Sequence, residues 1–159
     1  MTMPPDTDDL RIEAVDIRSP EAAALIASLS RELGERYGDD GSGSFTPEDV
    51  LVPGSPFLVG WLNGRPVTCG AFRPMEPGVA EVKRMYVEPD ARGRGIGRRL
   101  LAELEKRARD VGYAAVRLET GTRQPESIRL YEAAGYRRIE KYAIYRDNPL
   151  SVCFEKSLD

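Results

Sequence analysis

Apolar positions along this chain recur with two different periods. Short runs rich in branched and aromatic side chains lie at Leu10–Val15, Phe57–Trp61, Val67–Phe72, Ala80–Val87, Ala114–Thr120, Tyr136–Lys141 and Val152–Lys156. Gly, Pro, Asn or Asp bound most of them, and they read as strands. Two longer stretches shift to helical spacing. One carries Ala23, Leu25, Ile26, Leu29 and Leu33; the other carries Leu100, Leu101, Leu104, Ala108 and Val111. Ser19-Pro20-Glu21 is a helix start with proline at the first helical position, and this first helix is expected to end near Gly34. Gly112 stops the second helix, and Pro125–Ala134 predicts a shorter third one ended by Gly135. Asn63-Gly64 joins two strands as a hairpin. Between Arg36 and Pro56 the chain is rich in Gly, Asp, Ser and Pro, with only Thr46–Leu51 hinting at a short helix. A loop of that length in a small domain reads as a substrate lid or a merely mobile segment, with the lid preferred. The predicted order is β-α-(α)-β-β-β-α-β-α-β-β, without repeat or linker.

Composition narrows the class. The 159 residues suffice for one domain with a real core, expected over Leu10–Asp159 after a disordered polar tail, Met1–Asp9. A formal net charge of −3 argues against nucleic acid as the main partner. No run is apolar enough for a signal peptide or a membrane span. Cys69 and Cys153 are isolated thiols, which suits a reducing cytosol. The chain has no histidine, so neither a His-based triad nor a His-ligated metal site is available, and no metal is expected.

The most informative segment follows the strand Ala80–Val87. Gly93, Gly95 and Gly97 leave the backbone bare, and the helix starting near Ile96 adds unpaired N–H groups and the positive end of its dipole. Such a turn binds phosphate or pyrophosphate, and Arg92, Arg94, Arg98 and Arg99 reinforce the charge. A mononucleotide P-loop would need Gly-Lys-Ser/Thr at the end of the turn, which is missing. A dinucleotide fingerprint would need G-x-G-x-x-G, but Arg98 stands where the last glycine would fall.

Arg92-Gly-Arg-Gly95-Ile-Gly97 instead fits R/Q-x-x-G-x-G/A. Downstream, the segment from Gln124 to Tyr136 is similar to N-x-x-A-x-x-L-Y-x-x-x-G-F, with Gln124 in place of Asn and Ser127 in place of Ala. On these two motifs, within residues 57–140, the chain resembles the GNAT superfamily of acetyl-coenzyme A-dependent N-acetyltransferases. The resemblance implies an α/β (α+β) fold, with a mixed central sheet of six to seven strands flanked by about four helices. It also implies that Ala80–Val87 and Ala114–Thr120 run parallel and splay apart to admit coenzyme A. The pantetheine arm would add to the backbone of Met85, Tyr86 and Val87 as an extra strand. The pyrophosphate would meet Arg92, Gly93, Arg94, Gly95, Ile96, Gly97 and Arg98, and Gln124, Ser127 and Tyr131 would complete the coenzyme contacts. The Met85 N–H would face the thioester carbonyl as an oxyanion donor. Tyr131 matches the family's thiolate-protonating tyrosine.

Glu81 is the candidate base for the amine, or else pairs with Lys83 or an arginine at a solvated sheet end. Strict alternation puts Glu81, Lys83, Met85 and Val87 on one face. Glu119, at the end of its strand, reads as structural. Arg36–Phe45 and Tyr142–Asn148 are the expected acceptor walls, with Asp39 and Asp40 suited to a cationic amine. The reading is thus a cytoplasmic enzyme moving acetyl from acetyl-CoA to a primary amine, with a homodimer left open. Its alternatives are a non-catalytic acyl-CoA sensor and an acyltransferase for a larger acyl group.

Overall fold

A computed structural model describes residues 9–39 and 45–159. The seven strands are β1 (Leu10–Val15), β2 (Phe57–Leu62), β3 (Arg65–Glu76), β4 (Val79–Val87), β5 (Ala115–Gly121), β6 (Arg137–Ile139) and β7 (Ser151–Ser157). They form one mixed sheet in the order β1-β2-β3-β4-β5-β7-β6, and only β4 and β5 pair in parallel. Among the described residues there are three α-helices rather than about four: α1 (Pro20–Tyr37), α2 (Ile96–Val111) and α3 (Pro125–Ala133). The segment expected to supply a fourth, Thr46–Leu51, forms a single 3₁₀ turn at Pro47–Val50.

The two helical stripes pack on opposite faces of the sheet. Leu100, Leu101, Leu104 and Ala108 of α2 meet Phe72, Ala80, Val82, Val116 and Phe154, together with Tyr131 of α3. Each of those fully buried leucines contributes about 1.5–3 kcal/mol of apolar burial. On the other face Ala22, Leu25 and Leu29 of α1 cover Phe57, Val59, Cys69, Ala71 and Tyr86, and Phe45 and Val50 join them. The described part of the expected lid is therefore docked on the core. Asp40 and its neighbours up to residue 44 lie outside the described residues.

Helix α1 runs one turn past Gly34 and is capped by Gly38, whose φ of 75° suits glycine. The extra turn has tertiary partners. Arg36 bonds Glu126 at 2.6 Å, and Tyr37 donates to Gln124 at 3.1 Å, tying the end of α1 to the start of α3.

Two irregularities shape β4. Its pairing with β5 covers only Val79–Ala115, Ala80–Val116 and Glu81–Arg117, while β5 stays paired with β7 as far as Gly121. Further along, Arg84 and Met85 together oppose the single Gly70 of β3, and Arg84 has a φ of 61°. A bulge of this kind bends and twists its strand, and it turns β4 away from β5. It also breaks the expected alternation. Glu81 and Lys83 face the α1 side along with Tyr86, whereas Met85 packs with the α2 core and Val87 with Ile96.

Candidate active site

The divergence of β4 and β5 opens a cleft of about 330 Å³ between α1, α2 and α3. Its wall holds Met85, Tyr86 and Val87 from β4, then Arg92, Gly93, Gly95, Ile96, Gly97 and Arg98 from the turn. Gln124, Ser127 and Tyr131 from α3 close it. Of the residues expected to meet the coenzyme, Arg94 alone lies outside this lining. Gly93 and Gly95 take φ values of 81° and 78°, a left-handed conformation that presents consecutive N–H groups on one side. The start of α2 has no side-chain cap, so its first N–H groups remain for a ligand.

Two of the arginines do more than supply charge. Arg92 donates through Nε to the Val87 carbonyl at 2.9 Å and through Nη2 to Glu32 at 2.8 Å. It pins the turn to β4 and α1, and Glu32 offsets its charge. Arg98 donates to the Ala133 carbonyl at 3.0 Å, fixing the spacing between α2 and α3. The spacing of glycines and arginines could not reveal Glu32, because its partner is 60 residues away.

Behind the cleft a narrow junction of about 110 Å³ is lined by Lys83, Met85, Glu119, Ser127 and Tyr131, among others. Beyond it a cavity of about 520 Å³ opens between Tyr37 of α1 and the 144–150 segment. Met85, Gln124, Ser127 and Tyr131 are common to the cleft and the junction. Glu119 and Gln124 are common to the junction and the far cavity. The three spaces adjoin at these shared residues, with Tyr131 between the cleft and the junction and Glu119 between the junction and the far cavity.

Tyr131, Glu119 and Lys83 at the junction are each tuned by their surroundings. Burial raises the pKa of the Tyr131 phenol, and the nearby Glu119 carboxylate adds to the shift, so the hydroxyl keeps its proton at neutral pH. Burial also raises Glu119 above the ordinary carboxylate range, against an opposing hydrogen bond that Ser151 donates at 2.7 Å. Lys83 is lowered by the same desolvation and bonds the Tyr145 hydroxyl.

The structure does not bring Glu81 to these spaces. Its carboxylate is 2% exposed and lines neither the cleft nor the junction. One oxygen accepts from Arg73 Nε and Nη2 at 3.0 and 2.9 Å; the other accepts from the Tyr142 hydroxyl at 2.8 Å. Arg73 in turn bonds Asp49 at 2.6 Å, and the Tyr142 ring meets Tyr145 edge-on with centroids 5.5 Å apart. Glu81 therefore links the 47–50 turn, β3 and the 142–145 turn. Of the alternatives weighed for it, pairing with an arginine is the one seen, at a buried site rather than a solvated sheet end. Its separation from Met85 follows from the bulge.

Of the expected acceptor walls, Tyr37, Asp39, Ile144, Tyr145 and Asn148 line the far cavity. Phe45 and Tyr142 do not; they are buried in two separate apolar clusters. Gly121 carries the cavity floor close under the Tyr37 ring, where any side chain would strike the phenol.

A parallel strand pair forced apart beside a phosphate-binding turn is the architecture of an acyl-coenzyme A-dependent transferase. The model of the Acetyltransferase (GNAT) family matches residues 22–136, and this chain belongs to that family. It is 41% identical over 135 residues to the IAA acetyltransferase of Azospirillum brasilense, covering 84% of this chain and 88% of that one. A Klebsiella pneumoniae protein described as an acyl-CoA N-acyltransferase superposes with a TM-score of 0.80 at 34% identity, over 94% of this chain and 98% of that one. The fold also matches YncA of Salmonella typhimurium, solved with its cofactor acetyl-CoA, with a TM-score of 0.69 at 22% identity over 94% of each chain.

Proposed function

We propose that this protein transfers the acetyl group of acetyl-CoA to a primary amine by direct attack, with both substrates bound at once. The adjacency of the three spaces carries this reading: the cleft fits a coenzyme, the far cavity offers room for a second substrate, and titratable groups line the junction between them. The residues fit the coenzyme on two counts. The Gly93–Gly97 turn and the uncapped start of α2 offer main-chain donors to a pyrophosphate. The edge of β4 beyond Glu81, unpaired with β5, offers main-chain groups to the pantetheine amides. Acetyl-CoA supplies an acetyl thioester; the rest of the chemistry falls to this chain.

The Met85 N–H donates to the carbonyl oxygen as negative charge develops there. An alkylammonium must lose a proton before its nitrogen can attack, and Glu119 is the carboxylate at the junction that accepts it. A pKa raised by burial brings a carboxylate closer to working pH, which is what a general base requires. Tyr131, kept protonated by its apolar surroundings, donates to the departing thiolate. Attack by the neutral amine forms the carbon–nitrogen bond and moves charge onto the carbonyl oxygen; collapse then breaks the carbon–sulfur bond, Tyr131 protonates the sulfur, and the proton shed by the acylated nitrogen returns to the Tyr131 phenolate, leaving one proton on Glu119 for release to solvent.

Thiol release from acetyl-CoA, measured with a panel of primary amines, tests the reading. Amine-dependent release at enzymatic rates supports it. Stabilisation by acetyl-CoA without release would instead indicate a coenzyme sensor, and turnover only with longer acyl-CoA would change the donor. The expectations of a cytoplasmic location and of a homodimer remain proposals. Among the described residues, no helix is long and apolar enough to cross a membrane.

A further inference from the structure

Gln124 borders the cleft, the junction and the far cavity alike, and the orientation of its amide is set by its neighbours. The Gly121 N–H, which can only donate, lies 3.2 Å from Oε1, and the Tyr37 hydroxyl lies 3.1 Å from the same oxygen. That hydroxyl accepts from the Arg123 N–H at 3.1 Å, so its own proton is turned toward Gln124. Burial raises the Tyr37 phenol above its ordinary pKa, so the proton stays in place at neutral pH. Two donors therefore claim the amide oxygen, and Nε2 faces the other way without a hydrogen bond to any described residue. The hydroxyl itself is well placed to do this. Arg123 donates to the Arg36 carbonyl at 2.8 Å beside it, and Gly121 leaves the space that a side chain would otherwise take from the phenol.

We propose that Tyr37 is a positioning residue for the coenzyme, although it lines the far cavity and not the cleft. The inference rests on the coenzyme reading of the cleft. A pantetheine arm lying there carries amide carbonyls, and Nε2 of Gln124, a donor only, suits one of them. Tyr37 acts through Gln124: its hydroxyl holds Oε1 and so fixes which end of the amide meets the arm. Without that bond the Gln124 side chain regains rotamer freedom, and coenzyme binding must then remove it. The same constellation accounts for glutamine at 124 where the motif has asparagine. An asparagine carbonyl, one methylene nearer the backbone, would not sit where the Gly121 N–H and the Tyr37 hydroxyl converge.

Tyr37→Phe removes the hydroxyl and keeps the ring beside the Arg123 guanidinium. In a calorimetric titration without acceptor, it should raise the Kd for acetyl-CoA about fivefold, the effect of losing one neutral hydrogen bond. Gln124→Ala should raise the Kd by at least as much. In the Gln124→Ala background, adding Tyr37→Phe should then change the Kd by less than about twofold, because the two residues act as one unit. If Tyr37 merely braced the end of α1, its effect would persist undiminished without Gln124, and that result overturns the proposal. So does a Tyr37→Phe protein that binds acetyl-CoA as the wild type does. Failure of the wild type itself to bind acetyl-CoA would strike the coenzyme reading and this inference with it, an outcome distinct from the other two.

Discussion

Replacing Glu81 by Gln separates two roles that a glutamate four residues before Met85 can play. The side chain is 3% exposed and Arg73 is 24% exposed, so the pair is shielded from solvent on one side only. Gln keeps an oxygen for the two Arg73 N–H groups, and the Tyr142 hydroxyl can turn to accept from the new amide. What disappears is the negative charge. A hydrogen bond to a charged group contributes about 1.5–3 kcal/mol, against about 1 kcal/mol for a neutral one. Two such bonds weaken, while Arg73 retains Asp49 at 2.6 Å as a counter-charge. The expected loss is about 2 kcal/mol, which in a chain of this size lowers Tm by roughly 4–8 °C. Glu81→Ala should cost more, about 3–5 kcal/mol, because the Arg73 and Tyr142 donors facing the carboxylate are left unmatched.

Urea or thermal unfolding measures the stability change, and the pH dependence of kcat measures the chemistry. If Glu81 is the link between the 47–50 and 142–145 turns, Glu81→Gln lowers stability and raises the amine KM, because the wall carrying Tyr145 loosens. The shape of the kcat profile stays as in the wild type. The opposite pattern would refute the argument from burial: wild-type stability, a roughly 10²-fold slower turnover, and recovery as pH rises and free amine becomes abundant.

Tyr131→Phe should lower kcat by roughly 10²-fold with little change in acetyl-CoA affinity, since it removes the hydroxyl and keeps the ring against Tyr136 and Phe154; steady-state kinetics and a binding isotherm check both halves. Glu119→Gln should slow turnover and abolish the acid limb of the pH–rate profile. Its effect on stability runs the other way. A carboxyl whose folded pKa is raised contributes stability that is fully present below its unfolded pKa and is lost as pH rises through the folded one. Near neutral pH the Gln variant should therefore be at least as stable as the wild type. Charged and titratable groups coupled to Glu119 include Lys83 from β4, Tyr131 from α3, Tyr37 from α1 and Cys153 across from it on β7, and the profile reports the set rather than one residue. Acetyl-CoA at a hundred times its Kd should stabilise the wild type by about 2.7 kcal/mol in a melting scan. Gly95→Val should abolish that shift, because a branched residue resists a φ of 78° and blocks the N–H groups of the turn.

The turn proposed to hold the coenzyme was legible in the sequence for a physical reason. Pyrophosphate binding uses main chain, so its requirements appear locally, as glycines where φ is positive and as a helix start that follows at once. Gly93, Gly95 and Ile96 lie within four consecutive residues because the N–H groups must cluster in space. The acceptor half has no such locality. Glu119 and Glu81 both lie on predicted strands, and nothing within five residues of either says which one reaches the junction. The choice is made by the bulge at Arg84, which depends on register with β3, and by Arg73 and Tyr142, which claim Glu81 from 8 and 61 residues away. The extra turn of α1 was hidden for the same reason. Gly34 is a reasonable local stop, and the helix passes it because Arg36 and Tyr37 find partners on α3 some 90 residues on. A glutamate's role here is thus decided by which cations and hydroxyls the topology delivers to it. Glu81 is buried and occupied by three donors from Arg73 and Tyr142, whereas Glu119 accepts from Ser151 and lines the junction, which is why the proposed base is Glu119.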